Sequence, residues 1–412
     1  MSVDVVTGDT ALARCVARSA SEFEAEHWGR APLLSRATEL PSGFGDLIDP
    51  AAVDELVSER GLRTPFLRMA KDGAVRPVAS FTRGGGAGAA IADQAADDKV
   101  LSALADGSTL VLQGLHRSWP PLVGFSARLA DELGHPVQIN AYITPPQSQG
   151  FAPHHDVHDV FVLQVAGRKQ WTVHPPVVQD PLGNQPFDHF KSEIAERVAE
   201  EPSIDTVLEP GDALYLPRGT VHSAVAQGET SIHLTVGVHP LTRYDLVRQL
   251  LDAVQDDPRL RESLPAGTAL GEPDVLAPHF EATVEALRDA LGDVPVDRVA
   301  ERIDKNLMQR TRPEPVAPLA QMTAADALTP ETALRCRGAL RHRLASDDAG
   351  ERVRLEFLDR RLELPVATTE AVAYVVGRNG DTFAPADLPG LEETEQLTLA
   401  RRLMREGVVV SA

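Results

Sequence analysis

The sequence predicts an α+β protein: a double-stranded β-helix of the jelly-roll type, flanked by helices, with a small winged-helix-like module at the C-terminal end. Three observations carry this. From about residue 109 to 240, six short segments rich in β-branched or aromatic residues follow one another, punctuated by Gly and Pro. Beyond Pro240 the apolar spacing lengthens to three and four residues, as in amphipathic helices. After Arg312-Pro313-Glu314-Pro315, which reads as a linker, the order helix, hairpin, helix, helix, strand suits a winged helix.

In sequence order, Ala11 to Trp28 is mostly helix-favouring, and Trp28-Gly29-Arg30-Ala31-Pro32-Leu33-Leu34 breaks that helix and leads into an extended piece. Gly84-Gly85-Gly86-Ala87-Gly88 is costly to order, so it is either a loose loop or a mobile flap. The expected strands are Thr109 to Gln113, Pro136 to Ile143, Val160 to Val165, Gln170 to Val173, Ala213 to Leu216 and Ser231 to Val236. Many short strands of this kind close into a sandwich or jelly-roll barrel with a mouth for a ligand. Helices are expected at Tyr244 to Val254, Phe280 to Leu291 and Val296 to Met308. In the last segment Arg352 to Phe357 alternates and pairs with Arg361 to Leu364, then come helices Thr368 to Val376 and Leu391 to Met404 and a closing strand at Gly407 to Val410. The expected divisions are 1–240 for the barrel domain, with its core from about 109, 241–312 for the helical region and 313–412 for the terminal module.

A length of 412 residues calls for two or three cores. A net charge of −20 repels phosphate, which argues against binding nucleic acid or an anionic membrane and favours a basic partner. The terminal module, with 12 Arg, no Lys and 15 Asp plus Glu from Val316 onward, is not basic enough to predict direct DNA binding. Cys15 and Cys336 make no disulfide framework, the N-terminus lacks a signal-peptide pattern, and no apolar run approaches the roughly 20 residues of a membrane span. A cytoplasmic protein is expected.

The chemistry is concentrated in Gly150-Phe151-Ala152-Pro153-His154-His155-Asp156, which runs into the Val160 strand. Residues two apart share a face of an extended segment, so His154 and Asp156 present an imidazole and a carboxylate to one point. In Glu209-Pro210-Gly211-Asp212 through Thr220-Val221-His222, a turn, a strand and a second turn deliver His222. Two histidines and one carboxylate on one side of a metal suit non-haem Fe(II). His155, on the opposite face, is the nearest competitor as ligand; His158 and Asp159 read as solvated residues where the strand begins, and His174, His233 and His239 as packing or surface histidines. Lys169 follows the turn Ala166-Gly167-Arg168 and begins a strand expected to pair with the one behind the H-x-D motif. Pointing inward it implies a bound anion, because a buried unpaired lysine is costly; otherwise it is a hairpin-tip lysine in water. Thr235 can add a hydroxyl to that anion. Asn140 and Tyr142, two apart on one strand face, either line the pocket or pack in the core.

The run Asn140-Ala141-Tyr142, Gly150 to Asp156 and Asp159 to Trp171, with Pro210-Gly211-Asp212 through His222, resembles the Jumonji-C (cupin-like) ribosomal oxygenases, which are Fe(II)- and 2-oxoglutarate-dependent protein hydroxylases. The resemblance implies iron held by His154, Asp156 and His222, and 2-oxoglutarate held at its distal carboxylate by Lys169 with Thr235, Asn140 and Tyr142. It further implies use of O2, homodimerisation through the helical region and hydroxylation of an arginine or histidine side chain of a ribosomal protein, a basic partner that agrees with the acidic surface. His155 departs from the family, where tyrosine is common, and bears on the substrate pocket. Two other readings share parts of the pattern: an oxygenase of a peptide natural product or free metabolite, and a non-catalytic regulator with the barrel as sensor.

Overall fold

The computed structural model describes residues 10–267, 269–346, 350–378 and 380–412. The polypeptide forms two compact units, Met1–Pro240 with Pro313–Ala317, and Leu241–Arg312 with Pro318–Ala412.

The strands of the first unit are β1 (Leu33–Ser35), β2 (Leu67–Lys71), β3 (Ala74–Val75), β4 (Thr82–Arg83), β5 (Gln94–Ala95), β6 (Thr109–Leu112), β7 (Val137–Thr144), β8 (Asp159–Ala166), β9 (Lys169–His174), β10 (Ile204–Leu208), β11 (Ala213–Leu216), β12 (Val221–Ala226) and β13 (Ser231–Val238). All six expected strands are present. They build an eight-stranded antiparallel sheet in the order β1-β11-β8-β13-β7-β6-β2-β3 and a three-stranded sheet in the order β10-β9-β12, while β4 and β5 form a separate ribbon around the glycine-rich loop. Alternation assigns each face a task. From the large sheet Val160, Val162, Leu214 and Leu216 turn towards Trp171, Val173 and Leu208 of the small one and close the barrel interior. The opposite face, with Leu110, Ile139, Ala141, Phe161, Leu163 and Tyr215, packs in one core with Leu56, Val100, Leu122, Phe125 and Leu129 of the flanking helices. Burial of each large side chain there contributes about 1.5–3 kcal/mol. Helix Pro120–Leu133 illustrates the local logic. Proline occupies its first turn, Leu122, Phe125 and Leu129 recur on its buried face, and Gly134 at φ +69° ends it in the left-handed region.

Two expectations about secondary structure and strand pairing are corrected in this unit. The helix expected from Ala11 to Trp28 is confined to Ala20–Glu22 and the π-helical turn Phe23–His27. Ser19 and Glu22 form a capping box that starts it late. Ahead of that, residues 11–16 make a single turn in which the Cys15 and Val16 amides donate to the Leu12 carbonyl, and the Ala11 and Leu12 amides donate to the Glu132 carboxylate. The second correction concerns β9, which pairs with β10 and β12 and not with β8. Gly167, at φ +61°, takes the backbone across the barrel. A Cβ there would lie 2.2 Å from the Thr230 carbonyl oxygen, so only glycine fits the crossing. The Gln164 side-chain amide fastens the turn by donating to the carbonyls of Ala166 and Gly167.

The second unit contains helices Arg243–Val254, Pro273–Gly292 and Val296–Arg310. Its remainder has helices Pro318–Asp326, Thr369–Val376 and Glu393–Arg405 with strands β14 (Leu334–Cys336), β15 (His342–Ser346), β16 (Arg352–Phe357), β17 (Arg360–Pro365), β18 (Thr382–Phe383) and β19 (Val409–Ser411). The hairpin of β16 and β17 is found as expected, and β15 extends it to a three-stranded sheet. A second sheet, β18-β14-β19, closes over the same core as Val372, Val375, Leu399 and Leu403.

Candidate metal centre

His154 and His222 face each other across an isolated antiparallel bridge, with the His154 amide donating to the His222 carbonyl at 3.1 Å and the reverse bond at 2.9 Å. Their rings lie 4.5 Å apart. Each Nδ1 faces a backbone carbonyl, Ala152 for His154 at 2.8 Å and Thr220 for His222 at 3.0 Å. A carbonyl only accepts, so each Nδ1 carries the proton and each Nε2 keeps its lone pair for a ligand. Asp156, two residues beyond His154 on the same face, brings Oδ2 to 3.8 Å from the His222 Nε2. One donor atom from each of His154, Asp156 and His222 lies within 4.8 Å of the other two, a spacing that one divalent ion spans with bonds of about 2 Å.

The turns that deliver these side chains are tied to buried carboxylates. Asp212 accepts from the amides of Ala37 and Glu209 at 2.8 and 3.1 Å and pairs with Arg36 at 2.8 Å, fixing the turn before β11. Asp159, expected in solvent at the start of its strand, is instead fully buried, accepting from the Tyr215 hydroxyl at 3.0 Å and the Arg218 amide at 2.9 Å. β11 returns antiparallel beside β8 and covers it. Asp159 thereby anchors the Pro217 to Thr220 turn that precedes His222. Gly219 in that turn, at φ +87°, donates its amide to the Asp156 carbonyl at 2.9 Å, and a Cβ on it would meet the Val178 carbonyl oxygen at 2.6 Å.

Electrostatics suit a cation. Burial, aided by His154, lowers the His222 imidazole to about 4, which keeps it neutral near pH 7. Burial alone would raise the Asp156 carboxyl, but His158, His154 and His222 outweigh it and hold the group below its usual range.

The three side chains open into a cavity of about 310 Å³ that also takes in Lys169, Tyr142 and Thr235. Lys169 is 4% exposed, so it points inward. Its ammonium donates to the Thr144 hydroxyl at 3.0 Å, Thr109 donates to that same hydroxyl at 3.2 Å, and among the described residues no carboxylate pairs with the lysine. Burial lowers it to about 7. Asn140 is not brought to the cavity wall: its side-chain oxygen accepts the Gly114 amide at 3.0 Å and sets the start of helix Leu115–Ser118. His155 turns away from the triad, with Nε2 at 3.2 Å from the Gln185 carbonyl oxygen and its ring against Phe190. His158 is engaged by Gln138 and packs on His239.

Sequence reasoning misses several wall residues. Trp171 lies two residues beyond Lys169, and His233 two before Thr235, so the alternation that pairs His154 with Asp156 reaches both. His233 stacks on Tyr142 at 5.0 Å and meets Trp171 edge-on at 5.5 Å. Among the described residues the Trp171 Nε1 and His233 Nδ1 are buried with no hydrogen-bond partner, which leaves the indole N–H free for an acceptor on a ligand. Arg68 on β2 and Phe187 in the β9–β10 connection carry no sequence signal for this cavity.

Residues 123–246 match the JmjC domain family, a stretch that contains the three candidate ligands and Lys169. A bifunctional lysine-specific demethylase and histidyl-hydroxylase NO66 of Drosophila erecta is 37% identical over 206 residues, which cover 47% of this chain and 29% of that protein. Human ribosomal oxygenase 1 is 34% identical over 205 residues, covering 46% of this chain and 31% of that protein. The match thus spans about three tenths of the length of these relatives. Among solved structures, the Escherichia coli ribosomal oxygenase YcfD is 20% identical with a TM-score of 0.53, covering 96% of this chain and 98% of that one. Its complex with cobalt and 2-oxoglutarate is 19% identical with a TM-score of 0.52, covering 96% and 99%. At that identity the likeness is one of fold.

Proposed function

We propose that the protein is an Fe(II)- and 2-oxoglutarate-dependent oxygenase of the ribosomal oxygenase kind that hydroxylates an arginine or histidine side chain of a ribosomal protein, a reading supported by the match of residues 123–246 to the JmjC domain and by the similarity to NO66 and ribosomal oxygenase 1. The observation that carries the reading is the placement of His154, Asp156 and His222 in one cavity with a buried lysine that has no acidic partner among the described residues. The fit of the implied groups rests on two features. Both Nδ1 atoms face carbonyls, which leaves both Nε2 atoms for a ligand, and the buried Trp171 Nε1 and Arg68 Nε in the wall have no acceptor among the described residues.

His154, Asp156 and His222 would hold the iron through two imidazole nitrogens and one carboxylate oxygen. When bound, iron and 2-oxoglutarate supply the oxidising chemistry: O2 is consumed, 2-oxoglutarate becomes succinate and carbon dioxide, and one oxygen atom enters a C–H bond of the substrate residue. The protein's own residues do the rest. Lys169, with Thr235 and Tyr142, orients the distal carboxylate of 2-oxoglutarate. Phe151, Phe187 and Trp171 narrow the cavity and keep water from the reacting bond. The relatives are named for ribosomal and histidyl substrates, and the net charge of −20 favours a basic protein partner. The test is incubation of the purified protein with Fe(II), 2-oxoglutarate, O2 and proteins stripped from ribosomes. Succinate release matched by a single-oxygen mass gain on one ribosomal protein is expected, and its absence contradicts the reading.

The lysine makes binding pH-dependent. A carboxylate needs the ammonium form, and burial sets that proton near 7 in the free protein. Below pH 7 the proton is already in place and affinity is flat. Above it, binding must take up a proton, so the 2-oxoglutarate dissociation constant rises by about tenfold per pH unit. Titration calorimetry from pH 6 to 9 checks this, and a flat profile contradicts it.

The remaining parts follow the same reading. Residues 1–240 form the oxygenase domain, 241–312 a dimerisation region and 313–412 a winged-helix-like module that does not bind DNA directly. Tyr244, Leu246, Val247 and Leu251 are exposed apolar residues on helix Arg243–Val254, and Phe280 is another on Pro273–Gly292. Covering them in a homodimer removes that surface from water. Light scattering is expected to give twice the mass of one protomer, and a monomer contradicts the dimer. We place the protein in the cytoplasm with its ribosomal substrate; among the described residues no helix is long and apolar enough to cross a membrane.

A further inference from the structure

We propose that Arg68 determines which side chain the cavity accepts: an uncharged one, the imidazole of histidine, with arginine and lysine shut out. The inference rests on the oxygenase reading above and narrows its substrate class.

Arg68 pairs with Val111 across β2 and β6, and Val111 with Tyr142 across β6 and β7. Directly opposed residues share a sheet face, so Arg68 points to the side that Tyr142 lines, and it forms part of the same cavity wall as the triad. The guanidinium lies over the Phe151 ring at 5.1 Å and donates to the Tyr142 hydroxyl, while its buried Nε has no acceptor among the described residues. Among the described residues no carboxylate pairs with it. Arg14, Arg36, Arg63, Arg76 and Arg83, on the same unit, each pair with an aspartate. An unpaired arginine in the wall of a cavity, within a protein of net charge −20, is therefore a local feature and not a consequence of composition.

The lining supplies one carboxylate, Asp156, and it belongs to the metal triad. Lys169 and the distal carboxylate of 2-oxoglutarate neutralise each other, which leaves Arg68 as the uncompensated charge facing the substrate. A buried guanidinium is held best by a carboxylate in bidentate contact, and the cavity lining offers none besides Asp156. A guanidinium or ammonium entering the cavity would lose its water, gain no acid partner and face a like charge. The ring faces do not substitute for the acid, since Arg68 already covers that of Phe151. A neutral imidazole needs no counter-charge. It packs against Phe187, and its unprotonated ring nitrogen accepts from Arg68.

The test uses the full-length protein with Fe(II), 2-oxoglutarate, O2 and proteins stripped from ribosomes, with the added oxygen located by mass spectrometry. A synthetic peptide of the modified sequence is then compared with its variant carrying arginine at the target position. The oxygen is expected on histidine, and the histidine peptide is expected to react about 100-fold faster than the arginine one. In Arg68→Met that ratio falls at least about tenfold. The ratio is the decisive readout, because a merely structural role would slow both peptides together. Oxygen on arginine or lysine, or an unchanged ratio in Arg68→Met, overturns the assignment while leaving the oxygenase reading intact. Absence of both succinate and any oxygenated side chain overturns the oxygenase reading, and this inference falls with it.

Discussion

Asp156→Ala is expected to abolish iron binding and 2-oxoglutarate turnover together, with His154→Ala doing the same. The two Nε2 atoms and one Asp156 oxygen are the only donor set of three among the described residues close enough to share an ion. Removing the carboxylate leaves two neutral imidazoles, which bind a divalent ion without charge neutralisation. Loss of groups that merely orient a ligand costs about 10–100-fold in metal affinity, so loss of a ligand costs more than about 100-fold. The backbone bonds that join His154 to His222, and the Asp156 carbonyl to Gly219, do not involve the deleted side chain. The fold is therefore expected to persist by circular dichroism. Iron stoichiometry by metal analysis checks the prediction, and full loading in either variant contradicts the ligand assignment.

Lys169→Ala separates the co-substrate from the metal. The ammonium is buried and, among the described residues, hydrogen-bonded to Thr144 alone, and Arg68 in the same wall is engaged by Phe151 and Tyr142. Truncating one partner of a buried charge pair costs about 2–5 kcal/mol. The apparent 2-oxoglutarate requirement is thus expected to rise on the order of 30-fold to 1,000-fold. Iron affinity in the absence of 2-oxoglutarate stays within about twofold, because the lysine is not a ligand. Removal of a buried charge also relieves its desolvation, so the variant is expected to be no less stable than the parent. An unchanged 2-oxoglutarate requirement would place the anion site elsewhere.

The difference between what the sequence makes legible and what it hides follows from the range of each physical signal. His154 and Asp156 are legible because two-residue alternation is local, and His222 because a P-G-D turn, a strand and a second turn leave few places for the backbone to go. Lys169 is legible only as two alternatives. Its burial depends on Thr144 and on the crossing at Gly167, which a short turn between two strands disguises as a hairpin. Asp159 reads wrongly as a solvated residue because its burial comes from Tyr215, a partner that reaches it only once β11 folds back beside β8. The strand β2 that carries Arg68 joins the sheet far from the motif in sequence, and no local pattern announces that neighbourhood. In the second unit the hairpin and long helices are legible from periodicity, whereas β14 and β18, of three and two residues, are too short to show any.

The central claim is that these three side chains hold one ion while Lys169 holds the far end of 2-oxoglutarate. It is tested most directly by a crystal structure of the protein with Mn(II) and 2-oxoglutarate, with the metal located by anomalous scattering. The expected result is one peak about 2.0–2.3 Å from the Nε2 atoms of His154 and His222 and from an Asp156 carboxylate oxygen, with a carboxylate of 2-oxoglutarate on the Lys169 ammonium. A metal bound through other side chains, or 2-oxoglutarate seated away from Lys169, would contradict the account.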